Sequence, residues 1–168
     1  MPTTGAPGNI WYPDATSPVA PLENLFLQQA TSVNDALNGV TPTWTSYTPT
    51  WGATGTDPVL GNGTIIGRYA QVNKIVTYQI HLTAGSTTTF GSGLYSLSLP
   101  VAFAGELENT CLGTVVLRTN SSYHSGSAMA GSATIIFMLL NTTLMTGTAP
   151  GNFVAGRALS INGTYEVA

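Results

Sequence analysis

Charge is what this chain has least of. Four of its 168 residues are Lys or Arg and seven are Asp or Glu. That is 7% of the chain, where about a quarter is usual. The four cations, Arg68, Lys74, Arg118 and Arg157, are scattered. They form no basic stripe to neutralise phosphates, which excludes a nucleic-acid partner and, on the same ground, an anionic membrane surface. A single cysteine, Cys111, rules out an intrachain disulfide; within CLGTVVLR it reads as a small buried apolar residue. The two histidines, His81 and His124, have no His, Cys or Asp at metal-ligand spacing. No metal and no cofactor is implied. Long apolar runs are missing too. Ile135 to Leu140 is the longest, far below the roughly 20 residues of a membrane-spanning helix. The start, MPTTGAPGNIW, lacks the basic and apolar regions of a secretory signal peptide. The expectation is synthesis in a cytoplasm without a secretion address, which also suits a protein of a virus released by lysis.

Hydrophobic residues, by contrast, reach 43%, too many for a disordered chain. Solubility therefore rests on Thr, Ser and Asn. A surface so poor in charge is expected to be partly covered in an assembly, and a homo-oligomer is the simplest one.

The stretch Gly61 to Pro100 organises the rest. Asn62-Gly63 tolerates the positive φ of a tight turn. Thr64 to Val72 and Ile75 to Thr83 follow, separated by Asn73-Lys74. In the second run Val76, Tyr78, Ile80 and Leu82 alternate with Thr77, Gln79, His81 and Thr83, the period of a strand with one buried face. A two-residue polar turn between such runs predicts an antiparallel hairpin. After a Gly/Ser/Thr loop, Tyr95, Leu97 and Leu99 alternate with serines until Pro100 stops the strand.

Upstream, residues 1 to about 20 are rich in Pro, Gly and Thr and form an extended arm. Trp11 and Tyr12 sit in it and need a surface to pack on. That surface is either the parent body or a larger assembly into which the arm is anchored. Pro21 to Leu37 is the one good helix, with Pro at its first position and Glu23 in its first turn. Leu22, Phe26, Gln29, Val33 and Leu37 make a stripe compatible with a short coiled-coil seam. Asn38-Gly39 supplies the stop. A helix this short is marginal alone, so it packs either on the β-body or on copies of itself. Val40 to Trp51 is a linker that becomes the first strand. Its Trp44, Tyr47 and Trp51 serve either packing or sugar stacking.

Downstream, Cys111 to Thr119 shows little alternation and reads as a strand buried on both faces. Asn120 to Gly126 reads as a polar loop or edge. Ser127 to Ala130 and Thr134 to Leu140 flank Gly131-Ser132 as a second hairpin, and Asn141 to Phe153 is a loop. In ALSINGTYEVA, Leu159 and Ile161 alternate with Ser160 up to Asn162-Gly163, and Tyr165 and Val167 follow. Roughly eight short strands without alternating helices predict an all-β fold. The expected form is an antiparallel, jelly-roll-like β-sandwich preceded by the arm and one α-helix. The boundary falls between residues 1–39, for attachment and oligomerisation, and the β-body of residues 40–168.

Catalytic constellations are missing. The elbow G-x-S-x-G does not occur. Gly61, Gly63 and Gly67 mimic part of a dinucleotide fingerprint, but a strand follows them where that motif requires a helix. Glu106 and Glu108 are neighbours on one loop and read as a solvated pair, not as two carboxylates across a sugar. Arg68 shares a strand face with Ile66 and reads as a hydrogen-bonded or inter-subunit arginine, with a ligand arginine as the alternative. The expectation is a protein that is no enzyme.

Several words in order carry a resemblance: Trp44-Thr-Ser-Tyr47-Thr-Pro49-Thr-Trp51, Gly61-Asn-Gly-Thr64, Gly67-Arg68-Tyr69, Gly85-Ser-Thr-Thr-Thr-Phe90-Gly91, Ser96-Leu-Ser-Leu-Pro100 and Asn162-Gly163-Thr-Tyr165-Glu166. Over about residues 40 to 168 the chain resembles surface proteins on tailed phages of actinobacteria, the minor tail, tail-fibre or head-fibre proteins. The resemblance implies a β-sandwich, commonly threefold, held on the virion surface by an N-terminal segment and without catalytic residues. Its partners would be its own copies and other head or tail proteins. The anchor candidates are Trp11, Tyr12, Leu22, Phe26, Val33 and Leu37. A host-glycan-binding module is the alternative, with Trp51 and Tyr123 as the stacking residues.

Overall fold

The computed structural model describes residues 22–38, 40–105, 110–120, 122–150 and 152–167. Trp11, Tyr12, Gly39, Glu106 and Glu108 lie outside them, as do the side chains of Leu22, Glu23 and Asn38. The chain divides into two compact units, Met1–Pro42 and Thr43–Ala168, three residues later than the boundary read from the sequence.

Among the described residues the first unit contains one helix, α1 (Leu22–Asn38). Thr31 Oγ1 donates back to the Leu27 carbonyl at 2.8 Å, and Ser32 Oγ to that of Gln29 at 3.0 Å. At its end, Val40 N and Thr41 Oγ1 both donate to the Leu37 carbonyl, at 3.0 and 3.1 Å. Phe26, Leu27, Val33 and Leu37 are exposed.

The second unit is antiparallel β throughout. Its strands are β1 (Thr45–Tyr47), β2 (Trp51–Ala53), β3 (Thr64–Val72), β4 (Ile75–Thr83), β5 (Tyr95–Ser98), β6 (Cys111–Arg118), β7 (Tyr123–Ser132), β8 (Ile135–Leu140), β9 (Thr143–Leu144) and β10 (Ala158–Glu166). The β3–β4 hairpin forms as predicted, with Val72 opposite Ile75 and Asn73 at φ 52° in the turn. The β7–β8 hairpin also forms, but Gly131 and Ser132 continue β7 and the turn moves to Ala133-Thr134.

All ten strands belong to one hydrogen-bonded sheet, in the order β1-β3-β4-β10-β6-β7-β8-β5-β2, with β9 paired to β8. The two separately bonded layers expected of a sandwich are therefore not what the pairing produces. The linker explains the shape. It makes two strands, not one, and these lie at opposite edges of the sheet, joined only by Thr48, Pro49 and Thr50. Nine strands laid flat would put those edges about 38 Å apart. Four Cα steps reach at most about 14 Å. The sheet must curl until its edges approach, and it forms a half-barrel. Thr50 holds the crossover: its N–H donates to Ser98 Oγ at 2.8 Å, and its carbonyl accepts from Ser98 N at 3.0 Å.

The concave face is the core. It gathers Val76, Tyr78, Ile80 and Leu82 of β4, Leu97 of β5, Val115 and Leu117 of β6, Ile136 and Met138 of β8, and Ile161 and Tyr165 of β10. Two groups of edge-to-face aromatics fill it. Trp51 meets Tyr95, Phe153 and Phe90 at 5.2, 5.8 and 6.3 Å between centroids. Tyr165 meets Tyr78 at 5.5 Å and Phe103 at 6.2 Å.

Two local readings are corrected. Strand β6 is not buried on both faces; its residues alternate, with Leu112, Val115 and Leu117 buried and Thr114, Val116 and Arg118 exposed. Cys111 is exposed as a result. Residues Tyr123 to Gly126 are not loop, because β7 pairs with β6 from Tyr123 onward. Strand β10 runs unbroken through Asn162-Gly163. There Gly163 stands opposite Gly113, and a Cβ on Gly163 would lie 2.0 Å from the Leu112 carbonyl oxygen. That pair of glycines marks close backbone contact inside a sheet, not a turn.

Candidate functional site

The convex face of the half-barrel is built by the residues that alternate with the core. Two rungs cross four strands on this face. One runs Ile66, His81, Ser160 and Val116; the next runs Arg68, Gln79, Asn162 and Thr114. All of them except Thr114 line, together with Ser46 and Thr48, a trough of about 740 Å³. Its floor is rigid because β4 and β10 are paired on both sides.

Hydrogen bonds order the side chains of the trough. Arg68 Nε donates to Gln79 Oε1 at 2.8 Å. His81 Nδ1 bonds Ser160 Oγ at 2.9 Å, and its Nε2 bonds Thr83 Oγ1 at 3.3 Å. Thr114 Oγ1 donates to Asn162 Oδ1. The Arg68 guanidinium also lies over the Trp44 ring, 4.6 Å from its centroid. So Arg68 is hydrogen-bonded, as the simpler reading held, and stacked as well. Among the described residues no carboxylate lines the trough.

The two stacking candidates part company. Trp51 is half-buried among Tyr95, Phe153 and Phe90. Its faces are occupied by packing, the simpler of its two readings. Tyr123 is 73% exposed at the start of β7. No ring contact joins the two among the described residues. Of the anchor candidates, Phe26, Val33 and Leu37 lie exposed on α1, 62%, 43% and 61% accessible. His124, read as a loop residue, lies on β7, where its Nδ1 accepts from Asn141 Nδ2 at 2.7 Å. Among the described residues no three of His, Cys, Asp and Glu come together as a metal site.

Burial shapes the phenols. It raises Tyr95 and Tyr165 to about 12; for Tyr165 a hydrogen bond with Val101 works in the opposite direction. Tyr47 and Tyr78 are raised further, chiefly by burial and then by neighbouring tyrosines. These groups stay neutral at physiological pH and offer no acid–base chemistry there.

Sequence reasoning missed the trough and the pairing of Arg68 with Trp44. The one available signal was that Ile66, Arg68, Gln79 and His81 share the polar side of a predicted hairpin. Comparison with known proteins returns no matching family, no matching curated protein and no matching solved structure. Among the described residues no helix is long and apolar enough to cross a membrane.

Proposed function

We propose that this chain is a non-enzymatic structural protein of a bacteriophage virion. It is a homotrimer, held on the head or tail by its N-terminal segment, with the β-body displayed at the surface as a compact knob. The observation that carries the reading is the apolar stripe on α1. Phe26, Val33 and Leu37 are exposed on α1. They fall at positions where copies of the helix pack as a seam. The scarcity of charge supports the same reading, since a body with so few ionic groups suits close neighbours. A jelly-roll-like arrangement, with the two limbs of the curled sheet facing across their core, belongs to this reading of the body.

The test is the mass of the full chain at micromolar concentration by light scattering. A trimer is expected, and the triple variant F26S/V33S/L37S is expected to run as a monomer. A wild-type monomer defeats the proposal. The attachment role fails separately if virions take up the protein unchanged after removal of residues 1–20.

A second reading, recognition of a host glycan, is favoured by the convex trough and by the exposed ring of Tyr123. Adsorption of the purified chain to host cells or wall glycans separates it from a purely structural role.

A further inference from the structure

We infer that the trough over β3, β4, β10 and β6 binds an acidic sugar, a saccharide whose carboxylate or phosphate is taken by Arg68. The inference rests on the receptor-binding form of the reading above and needs no trimer.

Arg68 is held at two points before any ligand arrives. Its Nε is fixed by Gln79 at 2.8 Å, and its planar face rests on Trp44. Both amino ends of the guanidinium have no partner among the described residues. They form the fork that takes a carboxylate or phosphate through two parallel hydrogen bonds. Among the described residues the lining holds no acid that competes for that fork. A side chain already immobilised loses little further freedom on binding.

The rest of the trough suits a sugar. Asn162 and Gln79 carry amides and Ser160 a hydroxyl, groups that both donate and accept, as sugar hydroxyls require. Ile66, 64% exposed, and Val116 offer an apolar surface to the C–H face of a ring. The volume, about 740 Å³, falls among small-molecule sites of roughly 300–1,000 Å³. Other carriers of an anion fit less well. A nucleic acid needs several cations along its backbone, and here there is one. An acidic peptide adding as a strand needs an open edge, whereas β4, β10 and β6 are paired on both sides and β1 covers β3 at Arg68.

The test is an NMR titration of the full chain with D-glucuronate, D-glucose 1-phosphate and D-glucose. The Arg68 Nε–H and the Gln79 and Asn162 side-chain amides are expected to shift with an acidic sugar and not with glucose. A response to glucuronate alone identifies a carboxylate sugar, and one to glucose 1-phosphate alone a phosphorylated sugar; either supports the site. R68Q is expected to weaken binding at least about tenfold, and R68K, which keeps the charge and loses the fork, by less. Both variants must melt as wild type, and Y123A should bind unchanged. The inference is overturned if neither acidic sugar shifts these groups, if R68Q binds as wild type, or if acetate and inorganic phosphate act as well as the sugars. Light scattering on the same samples keeps the two ideas apart. A trimer that ignores sugars sinks only the site, and a monomer that binds them sinks only the trimer.

Discussion

Helix α1 and strand β4 carry apolar residues in equally regular patterns, with opposite results. On β4, Val76, Tyr78, Ile80 and Leu82 are at most 2% exposed. On α1, Phe26, Leu27, Val33 and Leu37 are 43% to 64% exposed. The difference lies in what each element can recruit from its own chain. Strand β4 has β3 and β10 beside it, and the sheet curls to place further strands across its buried face. A curling sheet is its own partner. One helix of 17 residues has no second face to offer itself, and its hydrogen bonds alone leave it marginal. In the proposed assembly, other copies of the chain supply what it lacks.

The largest test of this contrast is Leu97→Ala. Leu97 is fully buried on β5, beside Trp51 and Ile136. Its truncation is expected to cost the β-body about 2–5 kcal/mol in urea unfolding. A loss below about 1 kcal/mol would mean that the core is not the jigsaw described here.

Alkali should act next, and on the body alone. Tyr95 and Tyr165 titrate near 12 in the folded chain because burial disfavours the phenolate, while an unfolded tyrosine titrates near 10. A folded value above the unfolded one leaves stability complete below pH 10 and removes it as pH climbs from about 10 toward 12. The described helix contains no tyrosine, so its circular dichroism should outlast the near-ultraviolet signal of the body. Stability that stays flat across that window would refute the assignment of these rings to the core.

Tyr78→Phe should move in the other direction. The Tyr78 hydroxyl is buried with no hydrogen-bond partner among the described residues, so its removal is expected to stabilise the body by about 1 kcal/mol. A destabilised variant would show that the hydroxyl has a partner after all.

The smallest effect belongs to the helix. F26S/V33S/L37S is expected to change the unfolding free energy of the body by less than about 0.5 kcal/mol, even as it lowers the mass of the particle. A larger loss would place these side chains in the fold of the single chain and erase the contrast.

How much could be read in advance varies with the range of the interaction. The β3–β4 hairpin was legible because alternation and a two-residue turn act between neighbours in the chain. Helix α1 was legible from its stripe and its Pro start. The two faces of β6 were not, because Val115 and Val116 are equally apolar and only the position of the sheet decides which one is covered. The role of Gly163 was not legible because the reason for it lies on another strand, at Gly113. The trough was illegible for the same reason: Arg68 and Gln79 are 11 residues apart, but Ser160 and Val116 reach them only through β10 and β6.

By itself, then, the chain's amino-acid order determined its class, its helix, its central hairpin and the near absence of ionic groups. Those properties follow from residue type and short spacing. Tertiary structure alone decided that β1 and β2 end on opposite edges, that the single sheet curls, and which polar residues meet on its convex side. Pairings as distant as that of Ile75 with Glu166 depend on which strand lies beside which, and local pattern does not encode that choice.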